Sequence, residues 1–220
     1  MLLVIRDAAS QDDAKSIVDR INALRFVEGA RTAGWHARLV KNNEQIDRSH
    51  PDYAALNKAV SDLIMRNGTF RMACRPRHIT PLLFSRYHDG MAYGTHVDDP
   101  IMYNLRSDVS FTLFLSDPQT YEGGELVMES SGGEQAYKLN RGDMIAYPST
   151  TLHRVNPVTS GERMAAVGWS QSYVRDQNQR EILWELDVAR RGIFEKEKKS
   201  REFDVISKAH ANLLRMWADG

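Results

Sequence analysis

The residues best suited to chemistry in this sequence are a histidine and an aspartate two positions apart, His96 and Asp98. On an extended strand, side chains two positions apart point to the same face, so this imidazole and carboxylate can bind one metal ion. The sequence contains a second pair with the same spacing, His50 and Asp52. There, Pro51 favours the start of a helix, which would place Asp52 in the first helical turn. We therefore expect the first pair, and not the second, to belong to a site.

The composition limits which kinds of site the chain can form. It has 220 residues with 29 basic and 29 acidic side chains, and the resulting zero net charge argues against a dedicated nucleic-acid binder. The single cysteine, Cys74, excludes a disulfide framework and any multi-cysteine metal site. The ligands of a bound metal must therefore be histidines or carboxylates, and we expect Cys74 to be an inert buried thiol.

The elements that must position these residues change in character along the chain. Before residue 69, apolar side chains recur at helical spacing behind Ser10 and behind Pro51, while alternation at residues 35–39 predicts a short strand. From residue 69 onward, short apolar runs are divided by Gly and Asp turns, as is typical of a sandwich, jelly roll or barrel. Helical spacing returns after residue 177.

These patterns predict a mainly β fold with flanking helices (α+β). The predicted division is an N-terminal helical support region at 1–77, a β core at 78–177 and a small C-terminal helical extension at 178–220. The apolar run at the N-terminus is too short for a signal peptide, and the apolar stretches elsewhere are strand-sized. We expect a cytoplasmic protein with no membrane partner and no nucleic-acid partner, and a homodimer stays open.

An ordered series of motifs follows the His-x-Asp pair. A Gly-Gly hairpin at 121–126 and an Arg-Gly-Asp turn leading into a strand at 141–148 precede His153, and Arg163 stands ten residues after that histidine. This order resembles the iron(II)/2-oxoglutarate-dependent dioxygenases of the prolyl-4-hydroxylase-like group, and it is most similar to the bacterial PKHD-type hydroxylases. The resemblance covers the motifs of residues 78–173 and extends to the helical segments on both sides.

The resemblance implies a double-stranded β-helix (jelly-roll) core in which His96, Asp98 and His153 bind Fe(II), with 2-oxoglutarate as cosubstrate and O2 as oxidant. It also implies that Arg163 holds the distal carboxylate of 2-oxoglutarate. Tyr87, which lies nine residues before His96, is implied to help hold a cosubstrate carboxylate. Because ascorbate dependence is common in these hydroxylases, L-ascorbate is an expected cofactor.

The chemistry of the side chains supports part of this assignment. Two neutral imidazoles and one carboxylate form the facial triad suited to non-haem Fe(II), although zinc hydrolases use the same ligand types. Arg163 precedes a compact apolar run, so we expect its guanidinium to face the interior, where it needs an anion. An internal salt bridge to an acidic side chain is the alternative to a bound cosubstrate.

The remaining aromatic and histidine candidates receive more ordinary roles. Tyr93, three residues before His96, is expected either at the entrance of the substrate pocket or in the core. His88 precedes an Asp-Gly turn, and we expect it at the surface. The other histidines lack partners at ligand spacing and are expected to be structural or at the surface: His36, His78 and His210. The long connection at 99–107, just after the metal motif, is our candidate for a substrate-facing lid.

The resemblance therefore implies an oxidoreductase that hydroxylates a peptidyl or free amino acid, or a small metabolite, with release of succinate and CO2. One alternative is a cupin-like metal-binding jelly roll that acts as a sensor, isomerase or hydrolase without 2-oxoglutarate. Another is a non-catalytic interaction module that binds no iron. The substrate itself is not predictable, because substrate contacts usually come from loops and the fold does not determine them.

Overall fold

The computed structural model describes residues 1–32 and 34–219. Within these ranges the α-helices are α1 (Gln11–Asn22), α2 (Tyr53–Arg66), α3 (Gly68–Cys74), α4 (Gln177–Glu197) and α5 (Arg201–Trp217). The first three precede the main strands and the last two follow them, so the predicted helices at both ends of a β core are confirmed. Every helix of these ranges is too short or too polar to cross a membrane.

Short strands make up the β core. In chain order they are β1 (Leu3–Ile5), β2 (Phe26–Glu28), β3 (Lys41–Asn42), β4 (Glu44–Ile46), β5 (Pro76–Ile79), β6 (Leu83–Tyr87), β7 (Ala92–His96), β8 (Ile101–Met102), β9 (Leu105–Arg106), β10 (Val109–Phe114), β11 (Tyr121–Gly123), β12 (Leu126–Ser130), β13 (Gly133–Tyr137), β14 (Met144–Pro148), β15 (His153–Val155), β16 (Val158–Gly161) and β17 (Arg163–Ser172). The larger sheet has the order β1-β14-β10-β17-β6-β4-β2, with β5 also paired to β17, and the smaller sheet has the order β13-β12-β15-β7-β3. All the pairings are antiparallel.

The larger sheet is covered on both faces, and the alternation along β10 explains how. Phe111 and Leu113 belong to the apolar cluster that packs the sheet against α1, α2 and α3. Thr112 points to the other face and lines the pocket between the two sheets, and Phe114 joins the second apolar cluster on that side. Because successive side chains of a strand point to opposite faces, β10 is buried along its whole length.

The N-terminal region contributes strands as well as helices. β1 pairs with β14, β4 pairs with β6, and β3 is the edge strand beside β7. The strand predicted at 35–39 is wrong, since these residues form a turn and a 3₁₀ helix, Ala37–Leu39. Trp35 and Leu39 are each 78% exposed, so the alternation does not mark a half-buried strand. The division of the chain at 77 and 177 stays a prediction.

An ion-pair cluster joins the C-terminal helices to the core. Asp187 of α4 is buried and accepts a hydrogen bond from Nη2 of Arg75, which follows α3, at 2.7 Å. His210 of α5 lies 3.6 Å from the same carboxylate, and Arg190 also pairs with it. Burial alone would raise the pKa of Asp187, but hydrogen bonds and charges of Arg190 and Arg75 lower it. His210 is therefore structural, as predicted.

Gly168 of β17 makes room for its register partner Phe111 on β10. A Cβ atom at this position would lie 2.5 Å from Phe111 Cζ and 2.7 Å from Leu82 Cδ2. We expect Gly168→Ala to lower the free energy of unfolding by about 1–3 kcal/mol, because a well-packed core does not accept an extra methyl group without strain.

Gly192 of α4 provides the matched control, since a Cβ atom there would meet no heavy atom within 4 Å. Gly192→Ala is expected to raise the free energy of unfolding by about 0.5–1 kcal/mol, because glycine loses more backbone entropy in a helix than alanine does. Urea unfolding measures both changes. A neutral Gly168→Ala variant would contradict the packing role of Gly168.

Candidate metal centre and adjoining pocket

Two strands of the smaller sheet bring the predicted metal ligands together. His96 of β7 is the register partner of His153 of β15, and their ring centroids are 4.3 Å apart. Asp98 lies just beyond β7, with its Oδ2 3.9 Å from Nε2 of His153. All three residues are buried, and their ligand atoms lie within 4.8 Å of one another. No other group of potential metal ligands of this kind occurs in residues 1–32 and 34–219.

Backbone carbonyls orient both imidazoles. Nδ1 of His96 lies 2.8 Å from the carbonyl oxygen of Gly94, and Nδ1 of His153 lies 3.0 Å from that of Thr151. A carbonyl oxygen only accepts hydrogen bonds, so each Nδ1 carries the proton and each Nε2 keeps a lone pair for a metal. Burial and the nearby His153 lower the pKa of His96 to about 4, so this ring is neutral at pH 7.

Asp98 is oriented by a serine from the larger sheet. The hydroxyl of Ser110 on β10 donates to Oδ2 of Asp98 at 2.5 Å, and it lies 2.8 Å from the hydroxyl of Ser149. Since the Ser110 proton is directed at the carboxylate, Ser149 must donate to Ser110. Sequence analysis missed Ser110, although a signal was present. Ser110 and Thr112 are polar residues at alternate positions of an otherwise apolar strand.

A pocket between the two sheets contains both this cluster and Arg163. Arg163 is only 2% exposed, and its guanidinium carbon lies 5.3 Å from the ring centres of both Tyr87 and Phe114. Among the residues that the structure describes, no ion pair involves Arg163, and its Nε has no hydrogen-bond partner. Arg163 therefore faces the interior as predicted, and the alternative internal salt bridge is not formed within this part of the chain.

The two tyrosines considered for the cosubstrate lie beside different groups. Tyr87 is buried and is the register partner of Arg163 across β6 and β17. Burial raises the pKa of Tyr87, so its hydroxyl keeps its proton and can donate a hydrogen bond. Tyr93 instead stacks on the His96 ring, with centroids 3.6 Å apart and an interplanar angle of 15°. Of the two, Tyr87 is thus the neighbour of the buried guanidinium.

The other candidates lie where ordinary structural roles would place them. His88 pairs with two nearby carboxylates, and Nδ1 of His50 accepts a hydrogen bond from the backbone of Asp52 at 3.3 Å. Cys74 is buried, and burial raises the pKa of its thiol to about 12, as expected for an inert cysteine. The candidate lid at 99–107 forms the β8–β9 hairpin and contributes side chains to the pocket lining.

Sequence analysis missed further polar residues of the pocket. Lys41, Gln45 and Trp169 line it, and Nε1 of Trp169 has no hydrogen-bond partner among the described residues. No local pattern identifies Lys41, because β3 reaches the site only by pairing with β7, where Lys41 lies opposite Tyr93.

Comparison with known proteins places the chain in a family. A family model of the 2OG-Fe(II) oxygenase superfamily matches residues 82–171. A PKHD-type hydroxylase of Acaryochloris marina is 51% identical over 219 residues, and one of Picosynechococcus is 49% identical over 219 residues. Both alignments cover 100% of this chain and 100% of the relative.

Solved structures share the fold at much lower identity. A prolyl-4-hydroxylase of Pseudomonas putida has a TM-score of 0.55 at 20% identity and matches 78% of this chain and 92% of that chain. HygX of Streptomyces hygroscopicus, solved with nickel and 2-oxoglutarate bound, has a TM-score of 0.57 at 14% identity. The match covers 79% of this chain and 84% of that chain. These similarities confirm the predicted jelly-roll core. The full-length relatives, together with the family model, show that the chain belongs to the PKHD-type hydroxylases of the 2OG-Fe(II) oxygenase superfamily.

Proposed function

We propose that the protein hydroxylates a peptidyl or free amino acid, or a small metabolite, using iron bound by His96, Asp98 and His153 and a cosubstrate bound by Arg163 and Tyr87. Fe(II) and 2-oxoglutarate, when bound, let O2 supply one oxygen atom to the substrate as hydroxyl and one to succinate, with loss of CO2. One feature supports this function most directly. A His-Asp-His cluster shares its pocket with a buried arginine that has no acidic partner among the described residues.

The ligand types and their orientation fit Fe(II). Two imidazole nitrogens and one carboxylate are the donor set of the facial triad, and a backbone carbonyl holds the far side of each ring. Zinc accepts the same donors, so the cluster alone does not select the metal. The neighbouring pocket must supply that selection.

Arg163 and Tyr87 fit a carboxylate. The guanidinium is a planar fork that matches both carboxylate oxygens, and the neutral Tyr87 hydroxyl can add one further donor. Aromatic rings around Arg163 exclude water from it, which strengthens its interaction with an anion. This chain therefore binds and orients the distal carboxylate, while the metal ligands orient the end of the molecule that reacts.

A metal-binding jelly roll without 2-oxoglutarate, acting as a sensor, isomerase or hydrolase, would leave the buried Arg163 without a counter-ion. Such a charge is costly unless an anion pairs with it. The assay that separates the two functions measures Fe(II)-dependent conversion of 2-oxoglutarate to succinate in the presence of pooled peptides and metabolites. A protein that binds Fe(II) but never forms succinate under these conditions would be such a jelly roll.

Ascorbate dependence, a cytoplasmic location and a homodimer stay predictions. We expect ascorbate to sustain turnover by returning oxidised iron to Fe(II), and total product with and without ascorbate measures this effect.

Removal of a metal ligand is the first test of the iron site. We expect His96→Ala or Asp98→Ala to abolish Fe(II) binding and leave the far-ultraviolet circular dichroism spectrum unchanged, since both side chains face the pocket. Anaerobic Fe(II) titration measures the loss. His50→Ala, in the other His-x-Asp sequence, is the matched control and should bind iron like the wild type. Full iron affinity in the Asp98→Ala variant would disprove the assignment.

Removal of the Ser110 hydroxyl tests how the Asp98 carboxylate is oriented. We expect Ser110→Ala to weaken Fe(II) binding by about 10- to 100-fold, because partners that orient a metal ligand contribute to affinity on that scale. Ser130→Ala, at the exposed end of β12, is the control. An unchanged dissociation constant for iron in the Ser110→Ala variant would show that Asp98 needs no such support.

Replacement of Arg163 by lysine tests the cosubstrate assignment. We expect Arg163→Lys to raise the KM for 2-oxoglutarate by about 10- to 100-fold, because a point charge replaces a two-pronged hydrogen-bond donor. Iron affinity should stay near the wild-type value, since Arg163 is not a proposed ligand. Arg6→Lys is the control, because Arg6 lies outside the pocket and its side chain is 64% exposed where it pairs with Asp143. Unchanged 2-oxoglutarate dependence would show that Arg163 has another role.

A further inference from the structure

Lys41 is a second buried cation in the pocket, and the proposed iron and cosubstrate sites do not use it. It lies on β3 and lines the same pocket as the metal-ligand cluster and Arg163. Lys41 is only 8% exposed and takes part in none of the ion pairs formed within residues 1–32 and 34–219. Burial lowers the pKa of Lys41 to about 8, with the charge of Asp98 opposing the shift, so the amine is mostly protonated at pH 7.

The contacts of the Lys41 ammonium do not neutralise its charge. Its Nζ donates to Oγ1 of Thr32 at 3.1 Å and lies 5.1 Å from the centre of the Tyr93 ring. Thr32 is itself fixed by a 2.6 Å hydrogen bond to Oε1 of Gln45. An ammonium has three donors, and neither a hydroxyl nor an aromatic face offers the full negative charge that a buried cation needs.

The charges of the proposed iron site also leave Lys41 without a counter-ion. The two charges of Fe(II) and the charge of Arg163 would be balanced by Asp98 and the two carboxylates of 2-oxoglutarate. Asp99 also lines the pocket, but it is partly exposed and water can solvate it. Lys41 is enclosed, so it needs one further anion in the pocket.

The position of Lys41 places such an anion beside the reacting centre. Its register partner Tyr93 stacks on the proposed iron ligand His96. The Tyr93 ring therefore lies next to both the Lys41 ammonium and an imidazole of the metal-ligand cluster. Gly34, seven residues before Lys41, lies close to Asp99 of the candidate lid, since a Cβ atom at Gly34 would be 2.8 Å from Oδ2 of Asp99. A group bound to Lys41 would lie near the iron and near the segments expected to contact the substrate.

We propose that Lys41 binds a carboxylate of the primary substrate, so that the enzyme hydroxylates a carboxylic acid. This inference rests on the proposed function, since it assumes that iron and 2-oxoglutarate occupy their sites. A carboxylate would accept hydrogen bonds from the free donors of the ammonium and would complete the charge balance of the pocket. It would also fix the distance between the anchored end of the substrate and the C–H bond presented to the iron.

The carboxylate could belong to a free amino acid or to a peptide. The test therefore uses matched pairs in which only the carboxylate changes: free amino acids and their primary amides, N-acetyl amino acids and their amides, and short peptides with free or amidated C-termini. Peptides with acidic side chains and their Asn or Gln counterparts form a further pair. The class of acid that binds best identifies the source of the carboxylate.

Binding of these probes to the protein loaded with Fe(II) and 2-oxoglutarate is measured anaerobically by calorimetry. We expect an acid to bind the wild type about 10- to 100-fold more tightly than its amide, which is the scale of one charged hydrogen bond. Lys41→Met keeps the side-chain length but removes the charge, and it should abolish this preference. Lys41→Arg should retain part of it. Lys58→Met, at an exposed lysine of α2, is the matched control.

Nitrogen-15 NMR of the Lys41 amine gives a readout that is separate from turnover. Its pKa should rise when an acid binds and should not rise with the matching amide. The signal is assigned by its loss in the Lys41→Arg variant.

Three results would overturn the role of Lys41 and leave the proposed function intact. They are equal binding of every acid and its amide by the wild type, an acid preference that persists in Lys41→Met, and loss of 2-oxoglutarate affinity in Lys41→Met, which would assign Lys41 to the cosubstrate. Failure of the wild-type protein to bind 2-oxoglutarate in the presence of Fe(II) would instead refute the proposed function.

Discussion

The pairing of β7 with β15 is the constraint on which the candidate site depends. Side chains of a strand alternate between two faces, so the register that sets His96 opposite His153 directs both imidazoles into the pocket. A shift of one residue would turn one of them to the other face. Asp98 depends on the same register, because it lies two positions beyond His96. Hydrogen bonds from Nδ1 to backbone carbonyls then leave each Nε2 free for a metal.

In the larger sheet, strand register and the alternation of side chains likewise decide which residues face the pocket. Pairing of β6 with β17 sets Tyr87 opposite Arg163, and β10 directs the Ser110 hydroxyl at the proposed metal-ligand carboxylate. The opposite face of β10 carries Phe111, which packs in the cluster with the N-terminal helices. The helices therefore act on the site indirectly. They cover the outer face of the sheet whose inner face carries the polar residues.

Residues set by local spacing were predictable from the sequence, and residues set by long-range pairing were not. The His-x-Asp pair needs only a strand, whereas His153 and Arg163 could be assigned only through the order of motifs that resembles a family. One sequence does not state which strands pair. Lys41 was missed for this reason, since it reaches the pocket only through the pairing of β3 with β7. The segment 35–39 has strand-like alternation but forms a turn and a 3₁₀ helix, in which Trp35 and Leu39 are exposed.

The two buried cations differ in where the fold holds them, and this difference fits their proposed ligands. Arg163 begins β17, which pairs with three other strands at the centre of the larger sheet. Lys41 lies on a two-residue edge strand beside a loop. A buried cation without an internal acidic partner destabilises the fold, and an anionic ligand that binds it offsets this cost. A rigid central strand suits a cosubstrate that never changes, while an edge strand and its loops can vary without disturbing the core, as a substrate-specific contact requires.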